Sequence, residues 1–440
     1  MRTAAALALG CLLAAAAATP TAGADRTQRA PGARPSTSAP LGGVNIRGLY
    51  PGAAPADADR ELAAARALHV RVVRADVSWS ALEPARPGVV DPRALAFVDR
   101  LVGDAAASGI RVIATADGTP CWASAAPPAL LRRCVPGRLT KAGAWPPRDP
   151  SAYAAFTALL AARYGTRLAA IEVWNEPDQA NEAYFAGPEK PQRYAAVLRA
   201  AYPAIKAANP GVLVLAGSLV GSNGVFLRAL YAAGIKGYYD GLAVHFYTLV
   251  LGSLRAIREA QLAAGDSKPL WLDEFGWSSC WPRQRIQQEQ ACVTARVQAV
   301  NVRDAVRSLA HTGYVAAEVL YELQGTPGED FGVLSATGAR KPAFGALARA
   351  LLTPFAAPSG VTLQLGVRRG MVLVRGSGPV GDYMQLEALR GGALRYRALF
   401  TLDRFDRYAI PLPRVLGTRG LTVRVFQYWQ GRGRAVTRRV

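Results

Sequence analysis

Histidine and methionine are scarce in this 440-residue chain, three of each, and cysteine is limited to five. The histidines are His69, His245 and His311, no two cysteines form a C-x-x-C pair, and no histidine cluster accompanies them. Metal binding of the common zinc spacings therefore has no support, and neither a metal nor a cofactor is expected. Acidic residues are also few, 31 against 52 basic ones, giving a formal net charge of +21 that is nearly all arginine. The arginines are spread with Ala, Gly and Pro along the whole chain instead of forming one face or a recognised binding module, so no nucleic-acid partner is expected. Two explanations of the charge stay open: a compositional bias, or a surface that favours an acidic or cell-envelope polysaccharide. Beyond the N-terminus no apolar run approaches the roughly 20 residues of a bilayer span, so stable membrane insertion is not expected.

What is present begins with an export signal. Arg2, an Ala/Leu stretch and Ala22-Gly23-Ala24 read as a signal peptide over residues 1–24. Residues 25–41, rich in Pro, Ser, Thr, Ala and Arg, read as a flexible leader. Removing the signal leaves Cys121, Cys134, Cys280 and Cys292, an even number in an exported chain. Disulfides are expected, and of the three pairings the local ones, Cys121 with Cys134 and Cys280 with Cys292, are favoured because each closes one loop; free or metal-bound thiols remain the alternative. The chain is expected to be secreted and monomeric.

From about residue 42, short β-branched runs alternate with Ala/Leu/Arg-rich helical runs. Eight strands are predicted: Val44 to Tyr50, Val70 to Trp79, Ile110 to Asp117, Leu168 to Glu176, Val212 to Gly217, Gly241 to Thr248, Pro269 to Glu274 and Tyr314 to Leu323. Helices are predicted between them, among others at Ala94 to Ala107, Tyr153 to Tyr164, Gln192 to Ala208 and Gln288 to Ala310. Eight such units over residues 42–354 predict an α/β fold, a (β/α)8 barrel. Residues 355–440 change to short alternating strands such as VTLQLGV and MVLVRG, which predict a small antiparallel β-sandwich. Its role is either a structural cap or sugar binding through aromatics around Tyr428 and Trp429.

Active groups of such a barrel come from strand C-terminal ends. IEVWNEPD and LWLDEFGWSS each end a strand in a glutamate, Glu176 before Pro177 and Glu274 before Gly276, 98 residues and three units apart. Two carboxylates across a cleft are the minimum equipment for cleaving a glycosidic bond. On the second strand Arg74, Asp76 and Ser78 alternate inward. Arg74 then either neutralises Glu172, which lies deeper in the barrel, or hydrogen-bonds Glu274 and holds it ionised. His245 and Tyr247 share one face of strand 6 and line the cleft. Asn175 reaches the same cleft as Glu176 only through a bulge or a strand end. Trp122, Trp174 and Trp277 are candidate sugar platforms, with core as the equal alternative for each.

These segments, with RADVSWSALEP, TADGTPCWAS and FGVLSATGARKPAF, resemble glycoside hydrolases of clan A, nearest to families 5 and 39. The resemblance covers the barrel and not the tail. It implies a retaining O-glycosyl hydrolase acting on a β-linked polysaccharide or oligosaccharide, with Glu176 as acid/base, Asn175 on the sugar 2-hydroxyl and Glu274 as nucleophile. Relatives often place a tryptophan on strand 8, where this chain has Leu320 and Tyr321, which makes Tyr321 the candidate platform. Retention requires the carboxyls to lie about 5 to 5.5 Å apart, and Glu176 must be held protonated by burial and the neighbouring charge. A transglycosylase on the same residues and a non-catalytic carbohydrate-binding or envelope protein are the rival readings.

Overall fold

The computed structural model describes residues 40–49, 54–221, 223–247, 251–283, 286–287, 290–310, 312–353, 360–378, 384–400, 407–427 and 435–440. The expected signal peptide, nearly all of the leader, and Tyr428 and Trp429 lie outside these residues. Eight parallel strands close a barrel: β1 Leu41–Asn45, β2 Val72–Ser78, β3 Arg111–Asp117, β4 Leu168–Val173, β5 Val214–Leu219, β6 Gly241–His245, β7 Leu270–Phe275 and β10 Val315–Leu320. Each pairs with its neighbours in chain order, and β10 closes on β1. Helices such as Pro92–Ala107, Pro150–Tyr164, Lys190–Ala208 and Ala295–Ala310 connect them. Asp91 and Asp149 start the first two by accepting backbone N–H groups that the first turn leaves unpaired, and proline follows each cap.

The strands read as continuous apolar runs because both faces are covered. Outward residues such as Val73, Val112 and Ile171 join the helices in one core. Inward residues Val72, Ile113, Ala170, Leu215, Trp271, Ala317 and Val319 fill the barrel interior as a second cluster. At β1 this layer has no room for a side chain. A Cβ on Gly43 would stand 2.6 Å from Val72, so glycine is the residue that lets β1 approach.

Three expectations are corrected. The fourth strand ends at Val173, not at Glu176. Trp174 and Glu176 have positive φ, 74° and 43°, which breaks the extended backbone. The helix expected from Gln288 starts at Ala295, because the loop before it pairs Ile286–Gln287 (β8) with Gln290–Ala291 (β9). Leu41, placed in the leader, is the first residue of β1.

After the barrel, two antiparallel sheets follow. One contains Gln364–Arg368 (β11), Met371–Ser377 (β12) and Arg407–Pro411 (β15). The other contains Met384–Arg390 (β13), Ala393–Phe400 (β14), Leu421–Gln427 (β16) and Val436–Arg439 (β17). Val372 and Val374 of the first sheet share a core with Met384, Leu386, Val423 and Val425 of the second, the packing of a β-sandwich. Among the described residues no helix is long and apolar enough to cross a membrane.

Candidate active site

Arg74, on the inward face of β2, is the centre of the site. Buried to 4 % exposure, it spends all five of its N–H donors. Nε donates to Glu172 Oε2 at 2.7 Å, Nη2 to Glu172 Oε1 at 3.1 Å and to Asn175 Oδ1 at 2.8 Å. Nη1 donates to Asn45 Oδ1 at 3.1 Å and to Glu274 Oε1 at 2.7 Å. The two roles that the sequence offered for Arg74 are both filled at once, because one guanidinium can serve two carboxylates in different directions. Burial opposes the charge of Arg74, but Glu172, Glu274 and Asp273 together hold it protonated. Burial alone would raise Glu172; Arg74 overrides it and holds that carboxyl below its ordinary range.

Asn175 and Glu176 reach the cleft because the strand has already ended. The positive φ at Trp174 swings Asn175 toward Arg74, and Ser218 of β5 donates to Asn175 Oδ1 at 3.3 Å. A bulky residue in the left-handed region costs on the order of 1–3 kcal/mol, a strain characteristic of active sites. Trp174 itself turns away from the cleft. It is fully buried between Tyr153 and Phe185, so it is core and not a sugar platform.

His245, at the end of β6, joins the two glutamates. Its Nδ1 lies 2.7 Å from Glu176 Oε1 and 3.4 Å from Glu274 Oε2. That nitrogen and one oxygen of each glutamate all lie within 4.8 Å of one another. Burial first, then the Arg74 charge, lower the pKa of His245 to about 4 against the pull of Glu274 and Glu172, so the ring is neutral at neutral pH. Tyr247 donates its hydroxyl to Glu274 Oε2. Burial raises the Glu274 carboxyl, His245 and Arg74 pull it down, Glu176 pushes it up and the Tyr247 bond lowers it; the net direction is upward.

The structure brings Tyr321 to the site and packs two of the tryptophans against other aromatic rings. Tyr321, Tyr247 and Phe331 form a triangle of edge-on rings with centroids 5.4 to 5.7 Å apart. Trp122 packs edge-on against Trp79 and donates to the Glu83 carbonyl at 2.8 Å. Trp277 packs on Phe275. Disulfides join Cys121 to Cys134 and Cys280 to Cys292, one in the loop after β3 and one in the loop after β7.

Two neighbours were not read from the sequence. Gln179 donates to Glu176 Oε2 at 2.5 Å, a contact made by the loop and invisible to strand periodicity. Asp273 faces inward beside Glu274, although adjacent residues of a regular strand point to opposite faces. The register explains it: Val244 and His245 of β6 are opposite Leu272 and Glu274, so β7 carries an extra residue. Asp273 is fully buried, 3.6 Å from Arg74 Nε and 3.6 Å from His245 Nε2, and burial holds its carboxyl well above the ordinary range.

Among the described residues, Glu172/His245/Asp273 and Glu176/His245/Glu274 are the groups compact enough to hold a metal ion. Arg74 already places a fixed positive charge on Glu172 and Glu274, which opposes a cation at either position.

The family model of the glycosyl hydrolase catalytic core matches residues 148–326, a span that includes both glutamates. No curated protein matches the chain. Among solved structures the chain is similar to a family 39 glycoside hydrolase from Bacteroides cellulosilyticus WH2, with 19 % identity, a TM-score of 0.54, and coverage of 86 % of this chain and 80 % of that one. It is also similar to the family 39 enzyme of Xanthomonas axonopodis pv. citri, at 16 % identity and TM-score 0.53, covering 87 % and 93 % of the two chains. A family 39 β-xylosidase from Caulobacter crescentus gives 17 % identity and TM-score 0.53, with 87 % and 95 % covered. Identities this low speak for the fold alone.

Proposed function

We propose that this chain, with a glycosyl hydrolase catalytic core in its barrel, is a secreted retaining glycoside hydrolase that cleaves β-linked oligosaccharides or polysaccharides. The observation that carries the reading is the approach of Glu176 and Glu274 to within 4.8 Å, bridged by His245 at the barrel mouth. An approach this close supports the short carboxyl separation of a double displacement.

In the first step a Glu274 oxygen attacks the anomeric carbon, the bond to the leaving oxygen breaks, and Glu176 gives that oxygen its proton. In the second, Glu176 takes a proton from water, whose oxygen displaces Glu274 from the same carbon. The first step converts the Glu274 anion to an ester. Arg74 stays compensated throughout, because Glu172 holds its other edge. Neutral His245, with its proton on Nε2, can accept at Nδ1 a hydrogen bond from Glu176 when that carboxyl is protonated as the acid. The barrel, residues 42–354, is the catalytic domain in this reading, and residues 355–440 an accessory one. Disulfides in both mouth loops suit export to an oxidising compartment.

The test pairs two substrates with one variant. Glu176→Gln should lower kcat on glycosides with poor leaving groups by about 10²–10⁴-fold, and far less on activated aryl glycosides. Equal losses on both refute the acid assignment. Proton NMR of the first-formed hemiacetal should show the substrate's own anomer, and an inverted product sinks the double displacement.

A further inference from the structure

A cavity of about 660 Å³ opens at the barrel mouth between the ends of β2 and β3, the stapled loop after β3 and the loop after β4. Asp76 and Asp117 line it, with Trp145 and Tyr184 beside them and Arg138 and Lys141 at its rim. Asp76 lies two residues beyond Arg74 on the same face of β2, one layer above it. Asp117 is opposite Ser78 on the next strand. Among the described residues neither aspartate side chain has a hydrogen bond or ion pair, in contrast to Glu172 and Glu274. Burial raises both carboxyls, and Asp76 raises Asp117 further. Both residues are half-buried, so they stand open to the cavity and can take a ligand that brings donors. Tyr184 ties the cavity to the reaction centre: burial raises its hydroxyl, and Glu176, Glu274, Asp76 and Asp117 all add to the shift.

We propose that this cavity is a subsite for an uncharged glycosyl unit of the substrate, with Asp76 and Asp117 accepting its hydroxyl donors and Trp145 and Tyr184 bounding its ring. The inference rests on the hydrolase reading of Glu176 and Glu274. A uronate here would set a third carboxyl against two that already repel each other. Arg138 and Lys141 do not offset this, since both are exposed and screened by water. The roof is fixed before any ligand arrives. The Cys121–Cys134 disulfide closes the loop, Thr119 donates to the Trp145 carbonyl at 2.6 Å, Ser124 donates to the Ala142 carbonyl at 2.6 Å, and Arg193 lies 5.5 Å over the Trp145 ring. A subsite so held loses little ordering entropy on binding.

The test is binding, measured by calorimetry on the Glu176→Gln, Glu274→Gln double variant so that turnover plays no part. The probes are xylotetraose, cellotetraose, mannotetraose and a tetramer of β-1,4-mannuronate. At least one neutral tetramer should bind, and adding Asp76→Asn or Asp117→Asn should weaken it about tenfold or more, the loss of one hydrogen bond to a charged group. The same substitutions should raise the thermal midpoint at neutral pH. In the folded chain both aspartates hold their protons to higher pH than in the unfolded chain, so they cost stability above about pH 4 and nothing below it. A structural role for the pair would lower the midpoint instead. Unchanged affinity in both variants, binding of the mannuronate tetramer alone, or no binding of any neutral tetramer overturns the proposal. Turnover that survives Glu274→Gln would remove the hydrolase reading while leaving this binding result intact.

Discussion

Two layers of one barrel, a single pleat repeat apart on the same strands, do opposite things. In the lower layer Val72, Ile113, Ala170 and Trp271 close an apolar plug. In the next, Arg74, Thr115, Glu172 and Asp273 stand on the same strands and build a charge network, with Thr115 donating to Glu172 at 2.8 Å. The lower layer gains stability from area and packing, independent of pH. The upper layer gains nothing comparable, since burying paired charges roughly breaks even against an apolar filling. What it gains is orientation. Arg74 and Tyr247 hold Glu274 by hydrogen bonds before substrate arrives, the preorganisation on which electrostatic catalysis depends.

The largest effect should come from breaking the upper layer. Arg74→Met strands Glu172 and Glu274 without their cation and should cost about 3–5 kcal/mol of stability at neutral pH. The loss is pH-dependent. Glu172 has a lowered pKa in the folded chain, so its stabilisation is present above its unfolded pKa, near 4.3, and disappears as pH falls through the folded value. The gap between parent and variant should therefore narrow in acid, as urea unfolding across pH would show. Glu274, freed of a charge that lowers its pKa, should also move the acid limb of kcat/KM to higher pH in any variant that keeps turnover.

Ile113→Ala, in the plug, should cost about 2–5 kcal/mol with the same penalty at every pH and little change in the pH–rate profile. A pH-dependent penalty there would mean that the two layers are not separable. The smallest effect is expected outside the barrel interior. Asp91→Ala removes an N-cap that accepts from Arg93 and Ala94 at 2.8 and 3.0 Å. Thermal unfolding should show a loss of about 0.5–2 kcal/mol, with kcat and KM untouched.

Much of this comparison was legible in the sequence, because period and spacing are local properties. Alternating runs identified eight strands, and each glutamate stood where a strand runs into a turn. The readings failed where a backbone departed from its ideal. Closeness to the mouth left Trp174 open as sugar platform or core, and the left-handed backbone after Val173 decides for the core. Asp273 keeps the inward phase of Trp271 two residues before it, and it is Glu274 that strict alternation sends outward and the extra residue in β7 turns in. Arg74 was given two competing partners, and five donors on a rigid fork let it keep both.

By itself the sequence determined the barrel, its order, and which strands lead to the two glutamates, because side-chain period and turn residues act over a few positions. Only the tertiary structure decided that those carboxylates meet around one histidine, that a buried arginine joins them to a deeper acid, and that two unpartnered aspartates face the neighbouring cavity. Distances between side chains on different strands depend on closure, register and bulges of the whole sheet, and no window along the chain contains them.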